Sequence, residues 1–97
     1  MSCGYVYILK CCNGNFYVGS TTNVDTRLKE HAAGIGADYV RRHLPIELVY
    51  MQNYPSIEAA FYIERQLHRW SHKKKQALID GDYEALKQLS ATSHPSD

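Results

Sequence analysis

The sequence predicts an α+β domain, a small three-stranded and mainly antiparallel sheet flanked by helices, and three observations carry the prediction. Two runs rich in aromatic and β-branched residues, GYVYILKC and FYVGS, flank Asn-Gly-Asn as the arms of a hairpin would. Later stretches switch to helical spacing, each preceded by Ser, Thr, Asn or Asp and several closed by glycine. The resulting order, ββαβααα, lacks the regular alternation of a parallel βαβ protein.

Taken in order, residues 4–11 and 16–20 form the predicted hairpin. Residues 21–23 supply caps for a first helix over 24–33, where Val24, Leu28 and Ala32 have helical spacing. Gly34 and Gly36 stop it, and residues 37–44 form a basic connector, read as a loop or one short helix, closed by Pro45. ELVYMQNY, residues 47–54, is the third strand. Ser56 caps a second helix over 57–69, Ser71 a third over 72–79, and Asp82 a last one over 83–89.

The chain has 97 residues, 44% of them hydrophobic, so one domain with one core is expected, over residues 1–91, with a frayed tail at 92–97. No apolar run approaches the roughly 20 residues that span a bilayer, and residues 1–4 lack the features of a signal peptide, so a cytoplasmic protein without membrane association is expected. Cys3, Cys11 and Cys12 are odd in number and include an adjacent pair, which argues against a disulfide framework. The formal net charge is only +1, but Arg41, Arg42 and the RQLHRWSHKKK segment concentrate positive charge locally.

Several polar residues stand where helices should bury apolar ones. The second helix carries a stripe at Ile57, Ala60, Phe61, Leu67 and His68, and the position completing its spacing is Glu64. A buried carboxylate needs a cation, metal or side chain, to offset desolvation; a stripe-edge glutamate could instead reach solvent or pair with Arg65 or a lysine. Arg27 and His31, four residues apart, lie together beside the Leu28 edge of the first helix. Snorkelling of the arginine and a protonated histidine at the helix C-terminus would also account for them. Tyr7 and Tyr17 fit aromatic packing across strands equally well. Together, a phenol, a guanidinium, an imidazole and a carboxylate around one small sheet suit phosphodiester cleavage: one carboxylate can hold Mg²⁺ when waters and phosphate complete its shell.

With these residues in view, the sequence resembles the GIY-YIG nuclease superfamily, and within it the small stand-alone bacterial members. Tyr5-Val6-Tyr7 resembles the first motif and Tyr17-Val18-Gly19 the second; Arg27 and His31 match the Arg-x3-His helix, and Glu64 the metal-binding glutamate. The resemblance covers about residues 5–89. Tyr5 and Val6 replace the glycine and isoleucine of the first motif, and the late asparagine of many larger members has no secure match.

The resemblance implies a metal-dependent endonuclease acting on DNA, in repair or recombination. Glu64 would bind one divalent cation, Mg²⁺ or Mn²⁺, and Arg27 would contact the scissile phosphate. Tyr7 is favoured as the base that activates water, assisted by His31, with Tyr17 as positioner, although the sequence does not separate the two tyrosines. Gly19 would allow close backbone approach. Duplex or branched DNA would be held through Arg41, Arg42, Arg69, Lys73, Lys74 and Lys75. The alternatives are a non-catalytic nucleic-acid-binding module and a protein-interaction domain using Trp70 and exposed tyrosines.

The hairpin offers a geometric test. A two-residue Asn13-Gly14 loop would place Tyr17 opposite Lys10 and leave Tyr7 on the other face. An odd-numbered connection such as residues 13–15, or a bulge at Gly14, would bring both tyrosines to one face.

Overall fold

In a computed structural model of the chain, which describes residues 3–92, strand β1 (Gly4–Cys11) lies between β2 (Phe16–Thr21) and β3 (Ile46–Tyr54) and is antiparallel to both. Helices α1 (Val24–Ala32) and α2 (Asp38–Arg42) fall between β2 and β3, and α3 (Ile57–His68), α4 (His72–Asp80) and α5 (Tyr83–Thr92) follow. The basic connector therefore forms a short helix. Thr92, expected in the tail, closes α5, while residues 93–97 lie outside the described residues.

The hairpin closes through three residues, Cys12, Asn13 and Gly14. Gly14 N–H donates to Cys11 O, Cys11 N–H donates to Asn15 O, and Gly14 takes φ +86°, the left-handed conformation that a three-residue loop needs. The connection is odd-numbered, one residue earlier than 13–15. Tyr17 consequently opposes Leu9, two positions from Tyr7, and the two tyrosines share a face.

Burial on both faces explains why β1 is so apolar. Val6, Tyr7, Ile8 and Leu9 are all at most 1% exposed, and each apolar side chain so buried contributes roughly 1.5–3 kcal/mol relative to exposure. Val6, Ile8 and Val18 meet Ala60 and Leu67 of α3; Tyr7 and Leu9 meet Val40 of α2, with Leu28 of α1 alongside. A bulge divides β3 between these cores. Ile8 pairs with Tyr50 but Leu9 with Leu48, so Val49 is extra, and Tyr50 and Tyr54 pack on the first core while Ile46 packs on the second.

Side-chain caps fix the helix starts. Asn23 accepts from Thr26 N–H, Ser56 from Ala59 N–H, Ser71 from Lys74 N–H and Asp82 from Ala85 N–H. Two apolar faces differ from expectation. In α1 the fully buried residue is His31, whereas Ala32 is exposed. In α3, Ala60 and Leu67 are buried and Ile63 is half-buried, while Phe61 and His68 are exposed. The α3 stripe is thus two adjacent lines: Ile57, Ala60, Ile63 and Leu67 enter the core, and Phe61, Glu64 and His68 run beside it.

Candidate active site

Alternation along β2 prepares the site. Tyr17 and Gly19 face the α1 side of the sheet, and Ser20, paired with Val6, faces the α3 side. Gly19 lies opposite Tyr7. A Cβ built there would collide with the Tyr7 hydroxyl and ring, so the phenol crosses β2 where only hydrogen can be accommodated. The space that a side chain at Gly19 would take is filled by this tyrosine.

On the protein side, the Tyr7 hydroxyl lies 3.0 Å from His31 Nε2. The Tyr17 ring meets His31 edge-on, with centroids 5.6 Å apart. His31 is 1% exposed, and Gly36 makes room for it: a Cβ at Gly36 would strike Nδ1, which has no hydrogen-bond partner among the described residues. Burial first, then the Arg27 charge, lowers the His31 pKa, with Glu30 opposing. The imidazole is therefore held neutral, and the protonated helix-terminal histidine is not what forms. Burial, followed by the nearby Tyr17, raises the Tyr7 pKa to about 12, against the lowering effect of Arg27. Burial also raises that of Tyr17.

Arg27 follows four residues after the Asn23 cap, and its Nε lies 3.2 Å from Glu30 Oε1. Across the cleft, Glu64 is half-buried. Its partners are neither Arg65 nor a lysine: Ser20 Oγ donates to Oε1 at 2.5 Å, and His68 Nε2 lies 3.0 Å from Oε2. A cleft of about 450 Å³ is lined by Tyr7, Tyr17, Gly19, Arg27 and Glu64, together with Ser20, Thr21, Thr22, Ile57 and Phe61. Four of the five predicted functional side chains line one opening, and the fifth, His31, stands behind Tyr7.

The predicted basic contacts lie elsewhere. Arg41 and Arg42 on α2 both pair with Asp38. Arg69 lines a second groove along α3 with Tyr62, Arg65, Gln66 and His68. Lys74 stands over the Trp70 ring at 4.5 Å, burial lowers the Lys75 pKa, and Lys73 is exposed. Trp70 packs against the core and is not a free anchor. Cys11 is buried, and Cys3, Cys11 and Cys12 are all free thiols.

Among the described residues no three His, Cys, Asp or Glu side chains gather as a metal cage. Glu64 nevertheless fits a hard divalent ion, because Mg²⁺ commonly takes one or two carboxylates and completes its shell with water and phosphate. The carboxylate is fixed by Ser20 and opens on a cleft with room for both. Sequence reasoning missed Ser20, Phe61 and His68. The i, i+4 spacing of Glu64 and His68 was the available signal for the last.

Fold and site define a small α+β domain whose cleft presents two phenols and a guanidinium to one carboxylate. A family model described as the GIY-YIG catalytic domain matches residues 3–77, and the chain belongs to this family. The UPF0213 protein BH0048 of Halalkalibacterium halodurans is 44% identical over 91 residues, covering 91% of this chain and 97% of that protein. A UPF0213 protein of Natronomonas pharaonis is 43% identical, covering 77% and 88%. The solution NMR structure of the UPF0213 protein BH0048 from Bacillus halodurans superimposes with a TM-score of 0.53 over 80% of this chain and 83% of that one. The NMR structure of EF2693 from E. faecalis, 28% identical, gives 0.59 over 86% and 88%. These structures share the antiparallel sheet with helices. Among the described residues no helix is long and apolar enough to cross a membrane.

Proposed function

We propose that the domain is a metal-dependent endonuclease hydrolysing phosphodiester bonds in DNA, as a cytoplasmic protein of repair or recombination. The observation that carries this reading is the convergence of Tyr7, Tyr17, Arg27 and Glu64 on one cleft, backed by His31. Family membership supports the class of activity.

Arg27 lines the cleft beside the phenols, and its role is to bind the scissile phosphate and stabilise the charge that develops there. Tyr7 is the base. As water gives a proton to its oxygen, its own proton passes along the 3.0 Å contact to His31 Nε2, so no free phenolate has to form. Substrate helps this transfer, because phosphate neutralises the Arg27 charge that otherwise disfavours a charged His31. Tyr17, which touches His31 only through its ring edge, positions water or phosphate. Glu64 would hold Mg²⁺ or Mn²⁺, which would supply Lewis-acid polarisation of the phosphate when bound. Arg65 on α3 and Arg69, its C-cap, follow Glu64 in sequence, and the proposed outer contacts are Arg69, Arg41, Arg42, Lys73, Lys74 and Lys75.

The test is cleavage of single-stranded, duplex, nicked and branched DNA with and without Mg²⁺ or Mn²⁺. Glu64→Ala and Arg27→Ala are each expected to lower the rate at least about 100-fold, the scale for losing a charge-stabilising group. Undiminished cleavage by both purified variants refutes the assignment.

A further inference from the structure

His68 lies one helical turn beyond Glu64 on the same face of α3. Its Nε2 is 3.0 Å from Glu64 Oε2, its side chain is 49% exposed, and it lines the second groove while Glu64 lines the cleft. The other carboxylate oxygen, Oε1, is occupied by the Ser20 hydroxyl. A cation approaching the free side of Glu64 therefore meets Oε2, and His68 is already on that oxygen. It must either be pushed away or join the ion.

The spacing favours joining. Two donors each about 2.1 Å from a metal and at right angles lie about 3.0 Å apart, the separation observed here between Oε2 and Nε2. Donors at i and i+4 on one helix face can ligate the same ion, as the paired histidines of helical zinc sites do. No large movement is required of the helix, and the proton on a neutral imidazole can be relocated to Nδ1 through solvent. We propose that His68 is a second protein ligand, making the site a carboxylate–imidazole pair completed by water and phosphate. This rests on the reading of Glu64 as the metal residue. An imidazole suits Mn²⁺ and later transition ions better than Mg²⁺, so His68 also biases the site away from Mg²⁺.

The experiment uses the full chain and Mn²⁺ alone, without DNA. Titration measures affinity, and pulsed electron paramagnetic resonance detects nitrogen bound to the ion. The wild-type protein should show a directly coordinated nitrogen that vanishes in His68→Gln. That substitution should weaken Mn²⁺ about tenfold or more, on the scale of altering a metal's ligand environment, and Mg²⁺ much less. Mn²⁺ binding that depends on Glu64 but shows no nitrogen, or keeps its affinity in His68→Gln, overturns the role of His68 alone. Binding unaffected by Glu64→Ala, or no binding at all, overturns the Glu64 site and this inference with it.

Discussion

Gly19 shows how a single hydrogen can be a functional choice. Its backbone is ordinary strand, so conformational freedom is not the reason for glycine; the reason is the Tyr7 phenol lying across its Cα. Gly19→Ala forces the phenol aside or the strands apart, and should destabilise the domain by about 1–3 kcal/mol, the range for overpacking. In urea unfolding, combining it with Tyr7→Ala should cost less than the sum of the single changes, since the clash is then removed; strict additivity would contradict this contact. Behind Tyr7, His31 makes a prediction about pH. Its pKa is lowered in the folded state and is 6.5 in the reference state, so the unfolded chain takes up a proton that the folded domain resists. Stability from this group is complete above about pH 6.5 and is lost as pH falls through 6.5 towards the folded value. His31→Gln should therefore flatten the decline in stability between about pH 7 and 5. Equal slopes for variant and wild type would remove burial of a neutral imidazole as the cause.

At the scale of elements, what was legible is what depends on local chemistry. Runs of aromatic and β-branched residues located the strands, and Ser56, Ser71 and Asp82 each cap the helix they were expected to cap. An odd-numbered loop was one of two connections, beside a bulge, that would bring Tyr7 and Tyr17 to one face, and which three residues form it depended on the αL conformation of Gly14. Less legible were faces shared between a core and a cleft. Phe61 and His68 look like core residues by spacing, yet they lie exposed beside Glu64, because α3 turns the line of Ile57, Ala60, Ile63 and Leu67 into the core against Val6, Ile8 and Val18 instead. His31 shows the reverse: a polar residue takes the inward position of α1 because its partner, Tyr7, is 24 residues away on another element. Ser20 escaped notice for the same reason, since its partner Glu64 is 44 residues distant. Pattern reasoning within an element reads each face separately; these contacts exist only once α1 and α3 are laid on opposite sides of one strand pair.

For the molecule as a whole, a net charge of +1 leaves the proposed association with nucleic acid to local patches rather than to a general field. Those patches are partly neutralised. Asp38 engages both Arg41 and Arg42, and all three side chains are at least half exposed. Exposed pairs of this kind are worth about 0–1 kcal/mol, so the arginines can exchange Asp38 for phosphate at little cost, but the exchange leaves Asp38 unpaired beside a polyanion. In the proposed function, the acid would act as a brake on binding through α2. Asp38→Ala is expected to tighten DNA binding several-fold at low salt. It should also steepen the fall of log K with log[salt] by about 1–2, since each phosphate contact adds about 0.9 for duplex DNA. Glu84→Ala, on the exposed start of α5, changes the net charge equally and serves as the control. A shift shared by both variants would reduce the effect to overall charge, whereas one confined to Asp38→Ala would mark α2, on the same side of the sheet as His31 and Arg27, as part of the surface that meets the substrate.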